Sequence, residues 1–197
     1  MQTKRLIIVA VGGQGNLLAS KVLGEASLLS DVPMRMSEIH GMAQRGGVVE
    51  SAIVFGDAES TLISDGEADV LLGFEPLETL RAINKCNANT VVVTNLAPSP
   101  PFTVAIGGGT YPDIAEIQRL IAAKTAHLFA FDAVNLAKQA GTVMALNIVL
   151  LGALARTESL PIPSENIRKA IGATVKKDFV DVNLKAFDLG YQAVAEA

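Results

Sequence analysis

Residues 6–11, Leu-Ile-Ile-Val-Ala-Val, form a short apolar run rich in β-branched side chains, and Gly12-Gly13-Gln14-Gly15 ends it. Beyond it, Leu17, Leu18, Val22, Leu23, Ala26 and Leu29 recur at helical spacing. A continuous apolar run reads as a strand buried on both faces, and the 3.6-residue recurrence as an amphipathic helix. Strand, glycine turn, helix is therefore the opening unit. It commits the chain to an α/β architecture, with Asn16 as the expected helix cap.

The rest of the chain repeats that alternation. Further strands are expected at 33–39, 48–55, 69–74, 90–94, 103–106 and 127–131. Helices are expected at 76–85, 114–124, 132–140, 143–156, 164–173 and 181–196, with Pro76 at a first turn and Asp132 as a cap. The predicted fold is a three-layer α/β sandwich around a mainly parallel sheet, with a Rossmann-like glycine turn. Residues 1–197 are read as a single domain, its helical C-terminal third packed on the same sheet.

Composition removes several functions. Of 197 residues, 50% are hydrophobic and 18% charged, too apolar for a disordered chain. A net charge of −4 lacks the basic stripe of a nucleic-acid binder. The mean hydropathy of +0.38 raises the question of a membrane. The uncharged run 140–155, however, is interrupted by Gly141, Thr142, Asn147 and Gly152 and is shorter than the roughly 20 residues a span requires. No cleavable leader is legible, and a cytoplasmic location is expected. The lone Cys86 cannot make an intrachain disulfide or ligate a metal cluster unaided.

Two loops concentrate chemistry. In an open α/β sheet the glycine turn lies where backbone N–H groups and a helix dipole meet an anion. The segment Ser37-Glu38-Ile39-His40-Gly41-Met42-Ala43-Gln44-Arg45-Gly46-Gly47 follows a strand, so the same edge should carry it. His40 is a candidate proton carrier and Arg45 a candidate fork for a carboxylate or phosphate. An ion pair of Arg45 with Glu38 is the plainer alternative. The turn misses the dinucleotide fingerprint at Ala10, although Glu38 stands about 20 residues on, where that fingerprint has its acid. His127 sits at a strand start without polar company. Nucleophile-elbow, P-loop and zinc-helix motifs are absent from the sequence.

Val-Gly-Gly-Gln-Gly at 11–15, the 37–47 block, Gly-Glu-Ala-Asp-Val-Leu-Leu-Gly-Phe-Glu-Pro-Leu-Glu at 66–78, Ala-Leu-Asn-Ile-Val-Leu-Leu-Gly-Ala-Leu at 145–154 and Val-Asn-Leu-Lys-Ala-Phe-Asp-Leu-Gly-Tyr at 182–191 together resemble the gamma-type component of 2-oxoacid:ferredoxin oxidoreductases. The similarity runs through the whole chain in order and is nearest to members acting on arylpyruvates. It implies a subunit of an enzyme that oxidatively decarboxylates a 2-oxoacid to an acyl-coenzyme A and passes electrons to ferredoxin. It also implies thiamine diphosphate, magnesium, iron–sulfur clusters and coenzyme A in the assembled enzyme, with none held by this chain alone. The implied partner is a large subunit bearing the thiamine cofactor and the clusters. On this reading Gly12, Gly13, Gln14, Gly15, Ser37 and Gln44 are candidate cofactor-binding residues, His40 and Arg45 candidate catalytic ones, and no residue is assigned to a metal. A stand-alone dinucleotide-binding oxidoreductase and a non-catalytic scaffold subunit remain the alternatives.

Overall fold

The first strand, β1 (Lys4–Val11), is the centre of the molecule. Its even-numbered residues Leu6, Ile8 and Ala10 enter one apolar core and its odd-numbered Ile7 and Val9 enter another, so both faces of the sheet are covered. The structure, a computed structural model, describes residues 3–41, 47–100, 104 and 106–195. Its other strands are β2 (Met34–His40), β3 (Val48–Phe55), β4 (Ala68–Gly73), β5 (Cys86–Asn95) and β6 (His127–Phe131). The helices are α1 (Asn16–Leu29), α2 (Pro76–Arg81), α3 (Ile114–Ala122), α4 (Ala133–Ala140), α5 (Leu146–Arg156), α6 (Ser164–Thr174) and α7 (Val180–Ala195).

The sheet order is β2-β3-β1-β4-β5-β6. β4 pairs parallel with β1, β5 with β4, and β6 with β5, whereas β3 is antiparallel to both β1 and β2. Five strands thus share one direction, and β3 alone is reversed. The reason is connection length: residues 41–47 are too few for a crossover helix, so β3 must return beside β2. α1 and the four C-terminal helices cover the face that receives Leu6 and Ile8, while α2 and α3 contribute Leu77, Ile117 and Ile121 to the other core. That gives the three layers. Among the described residues no helix is long and apolar enough to cross a membrane.

Several local expectations are corrected. The cap of α1 is Gly15, in a left-handed conformation (φ 84°) with no side-chain cap bond, and Asn16 is the first helical residue. The helix expected over 76–85 stops at Arg81 and continues as a 3-10 turn, Ile83–Lys85. The expected 143–156 helix divides because Thr142 accepts the Met144 N–H (3.3 Å) and sets a 3-10 turn, Val143–Ala145, ahead of α5. β5 begins at Cys86, earlier than its valine run, because Cys86 pairs with Ala68 on β4, ahead of an irregularity in register between Ala68 and Val70. Of the strand expected at 103–106, residues 103 and 105 lie outside the described set. Val104 instead closes a turn, its carbonyl accepting the Gly107 N–H at 3.0 Å.

Candidate functional site

Because β1 and β2 point the same way, the glycine turn after β1 and the loop after β2 emerge at one sheet edge. The Gly12 N–H donates to the Gly47 carbonyl (2.8 Å), and the Gly41 N–H donates to the Val48 carbonyl (2.7 Å). Between them opens a cleft of about 730 Å³, lined by Val11, Gly12, Gly13, Gly15, Asn16, Leu17, Glu38, His40, Gly41, Val48 and Val49. This is the carboxyl edge of β1 and β2, the edge at which ligands usually bind in open α/β sheets. The first turn of α1 points its free N–H groups into the same region and favours negative charge there.

The turn has two different glycines. At Gly13 (φ 103°) a Cβ would meet nothing within 4 Å, so its backbone is open to a ligand. At Gly15 a Cβ would stand 2.6 Å from Asn147 Nδ2, the atom that donates to the Gly15 carbonyl at 3.1 Å. Gly15 is therefore a packing contact between the start of α1 and the start of α5. Gln14 is committed as well: its Oε1 accepts the Val11 N–H (2.8 Å) and its Nε2 donates to the Phe74 carbonyl (3.3 Å). That carboxamide ties the end of β1 to the end of β4. On the far side of the turn, Gly13, Gln14 and Gly15 border a more apolar groove of about 810 Å³ that includes Leu18, Met144 and Phe179.

On β2, side chains alternate across the sheet. Glu38 faces Ser51 in register and lies on the α1 face. Its Oε1 accepts the Ser51 hydroxyl at 3.2 Å, and its Oε2 stands 3.0 Å from His40 Nε2. Ser51 in turn accepts from Asn16 Nδ2 (3.0 Å), while Asn16 Oδ1 is buried with no partner among the described residues. Four side chains thus form a hydrogen-bonded line from the interior of α1 to the mouth of the cleft.

Of the residues singled out from the sequence, Gly12, Gly13, Gly15 and His40 come together on the cleft. Ser37, paired with Ala52 and exposed, falls on the opposite face of β2. Gln44 and Arg45 lie outside the described residues, and with them the expected Arg45–Glu38 pair. Asn16 and Ser51 escaped sequence reasoning as site residues. A serine inside the apolar run 48–55 and an asparagine directly after the glycines were the available signals.

Among the described residues no three His, Cys, Asp or Glu side chains gather as a metal site. Cys86 is buried, and burial pushes its thiol up to about 11, away from the thiolate a cluster requires.

Comparison with known proteins is consistent over the whole length. Residues 5–193 match the family model described as pyruvate ferredoxin/flavodoxin oxidoreductase. The chain is 42% identical over 198 residues to the indolepyruvate oxidoreductase subunit IorB of Pyrococcus horikoshii, covering 100% of this chain and 98% of that one. It is 40% identical to the subunit of the same name from Thermococcus kodakarensis, with the same coverage. A crystal structure of the gamma subunit of a keto/oxoacid ferredoxin oxidoreductase from Geobacter sulfurreducens superposes with a TM-score of 0.71 at 25% identity, covering 98% of this chain and 99% of that chain. The glycine turn, the cleft beside it and this end-to-end similarity place the chain in the pyruvate ferredoxin/flavodoxin oxidoreductase family.

Proposed function

We propose that this chain closes the active-site region of an indolepyruvate-type ferredoxin oxidoreductase whose cofactors reside on a larger partner. Family membership makes it a subunit of a multi-subunit 2-oxoacid ferredoxin oxidoreductase. The arylpyruvate substrate rests on the relatives named for indolepyruvate. One cysteine is too few to ligate an iron–sulfur cluster, and the sequence has no Gly-Asp-Gly diphosphate–magnesium motif, so the clusters, the magnesium and the thiamine cofactor are assigned to the partner.

The observation carrying the site assignment is the Gly12–Gly47 hydrogen bond, which joins the two loops at the carboxyl edge of the sheet. Thiamine diphosphate and coenzyme A share a diphosphate, the chemistry that a helix N-terminus and an open glycine backbone attract. When bound in the assembled enzyme, the thiamine group supplies the electron sink for decarboxylation. This chain's own part is narrower. Gly12 and Gly13 present backbone, His40 holds or moves a proton at the cleft mouth, and Arg45 supplies a fixed positive charge to a carboxylate or phosphate.

The test is substitution in the reconstituted complex. His40→Ala and Arg45→Ala should each lower turnover while the circular dichroism and melting of the isolated subunit stay those of wild type. Wild-type kinetics in both variants would remove the site from this edge.

A further inference from the structure

We infer that Glu38 is a positioning residue that fixes the tautomer of His40, leaving Nδ1 as the ring nitrogen offered to the cleft. The functional consequence rests on the site proposed above, whereas the tautomer follows from the hydrogen-bond line itself.

The direction of that line is set at its buried end. Asn16 Nδ2 can only donate, and it donates to Ser51 Oγ at 3.0 Å. Ser51 has a single hydroxyl proton, and with its lone pairs facing Asn16 it gives that proton to Glu38 Oε1 at 3.2 Å. An ionised carboxylate accepts at both oxygens, so the nitrogen 3.0 Å from Glu38 Oε2, His40 Nε2, must carry hydrogen. Three bonds away from the asparagine, the neutral imidazole is left with Nδ1 unprotonated. Burial shows which end governs: Ser51 is fully buried, the Glu38 side chain is 16% exposed, and that of His40 is 64% exposed. Donation thus converges on Glu38 from both sides, and the held carboxylate, not the exposed ring, decides which nitrogen keeps hydrogen.

An inward-pointing charge on an edge strand has a second reading, as a guard against pairing with another chain. β2 is such a strand, the outermost on its side of the sheet. A guard needs only a carboxylate near the edge. A positioning residue needs both of its oxygens engaged in order, as found here.

The experiment uses the full chain, which has only two histidines, so His127 is an internal control. Imidazole nitrogen spectra recorded at alkaline pH should show His40 as the Nε2–H tautomer. In Glu38→Gln the single carboxamide oxygen takes the Ser51 proton and the NH₂ turns to His40, so Nε2 becomes the acceptor and the ring switches to Nδ1–H; His127 does not change. In the reconstituted enzyme, Glu38→Gln should lower kcat about tenfold with KM unaltered. The Glu38→Gln, His40→Ala double variant should be no slower than His40→Ala alone. Unchanged His40 ring signals in Glu38→Gln overturn the inference, as does a fully additive double variant. Wild-type turnover in His40→Ala overturns the site reading on which the functional half depends, and leaves the tautomer to be decided by the spectra.

Discussion

At the scale of single residues, the two turn glycines separate backbone demand from packing demand. Both hold φ values that cost a residue with a Cβ about 1–2 kcal/mol. Gly13→Ala should lose about that much stability, because open space receives the new methyl. Gly15→Ala should lose clearly more, since its methyl would meet Asn147 Nδ2 and break that atom's bond to the Gly15 carbonyl. Urea denaturation of the two variants against wild type gives the order, and equal losses would remove the packing argument. Neither role is visible in the sequence, where the two glycines look alike. The partner Asn147 is 132 positions away.

A second residue-scale consequence concerns the buried carboxylates that open α2. Glu75 is fully buried and accepts from the Glu78 N–H, the Ser99 N–H and the Tyr111 hydroxyl. Glu78 is 1% exposed, with Oε1 on Arg81 Nη1 (2.7 Å) and Oε2 without a partner among the described residues. Burial first, and the neighbouring Glu75 charge with it, raise the Glu78 carboxyl above its ordinary value against the pull of Arg81. A raised folded value means the fold prefers the protonated acid. That stabilisation is present below the ordinary carboxylate range and is lost as pH rises through the folded value. Glu78→Gln, neutral throughout, should therefore gain melting temperature relative to wild type as pH rises from the ordinary carboxylate range towards neutrality. Thermal melts of both proteins across that range check it, and parallel curves would contradict it.

At the scale of elements, α5 and α7 cross in backbone contact. A Cβ on Gly152 would lie 2.0 Å from the Phe187 carbonyl oxygen, and one on Gly190 would lie 1.8 Å from that of Val149. Helix propensity alone favours Ala over Gly by about 1 kcal/mol, so an exposed Gly→Ala would stabilise. Here backbone meets backbone and the sign reverses: Gly152→Ala and Gly190→Ala should each destabilise by several kcal/mol or prevent folding. A variant that melts at or above wild type would show that the helices are not in contact there.

Elements were also where the sequence was most readable, because periodicity is local. The strands at 48–55 and 127–131 and the helix opened by Asp132 stand where the residue pattern puts them. What failed was set by contacts distant in sequence. Asn16 looks like a cap until Ser51, 35 positions away, claims its amide. Gln14 looks like a ligand group until the Phe74 carbonyl, 60 positions away, is found beside it. Glu38 and His40 are two apart on a strand, and period-2 alternation alone puts them on one face and excludes Ser37. The reversal of β3 is not among the sequence expectations, although a seven-residue connection, too short for a crossover, was the signal for it.

At the scale of the whole molecule, an apolar α/β unit with a single buried cysteine brings polar backbone and a His–Glu–Ser–Asn hydrogen-bonded line to one edge. On the proposed function such a subunit contributes geometry to chemistry performed on its partner, a division of labour that can be measured. The decisive assay is 2-oxoacid-dependent ferredoxin reduction by three samples: this chain alone, the large subunit alone, and the two mixed. Reduction that appears in full only on mixing, with indolepyruvate as substrate, is the expected result. Ferredoxin reduction by the isolated 20.6 kDa chain would contradict it.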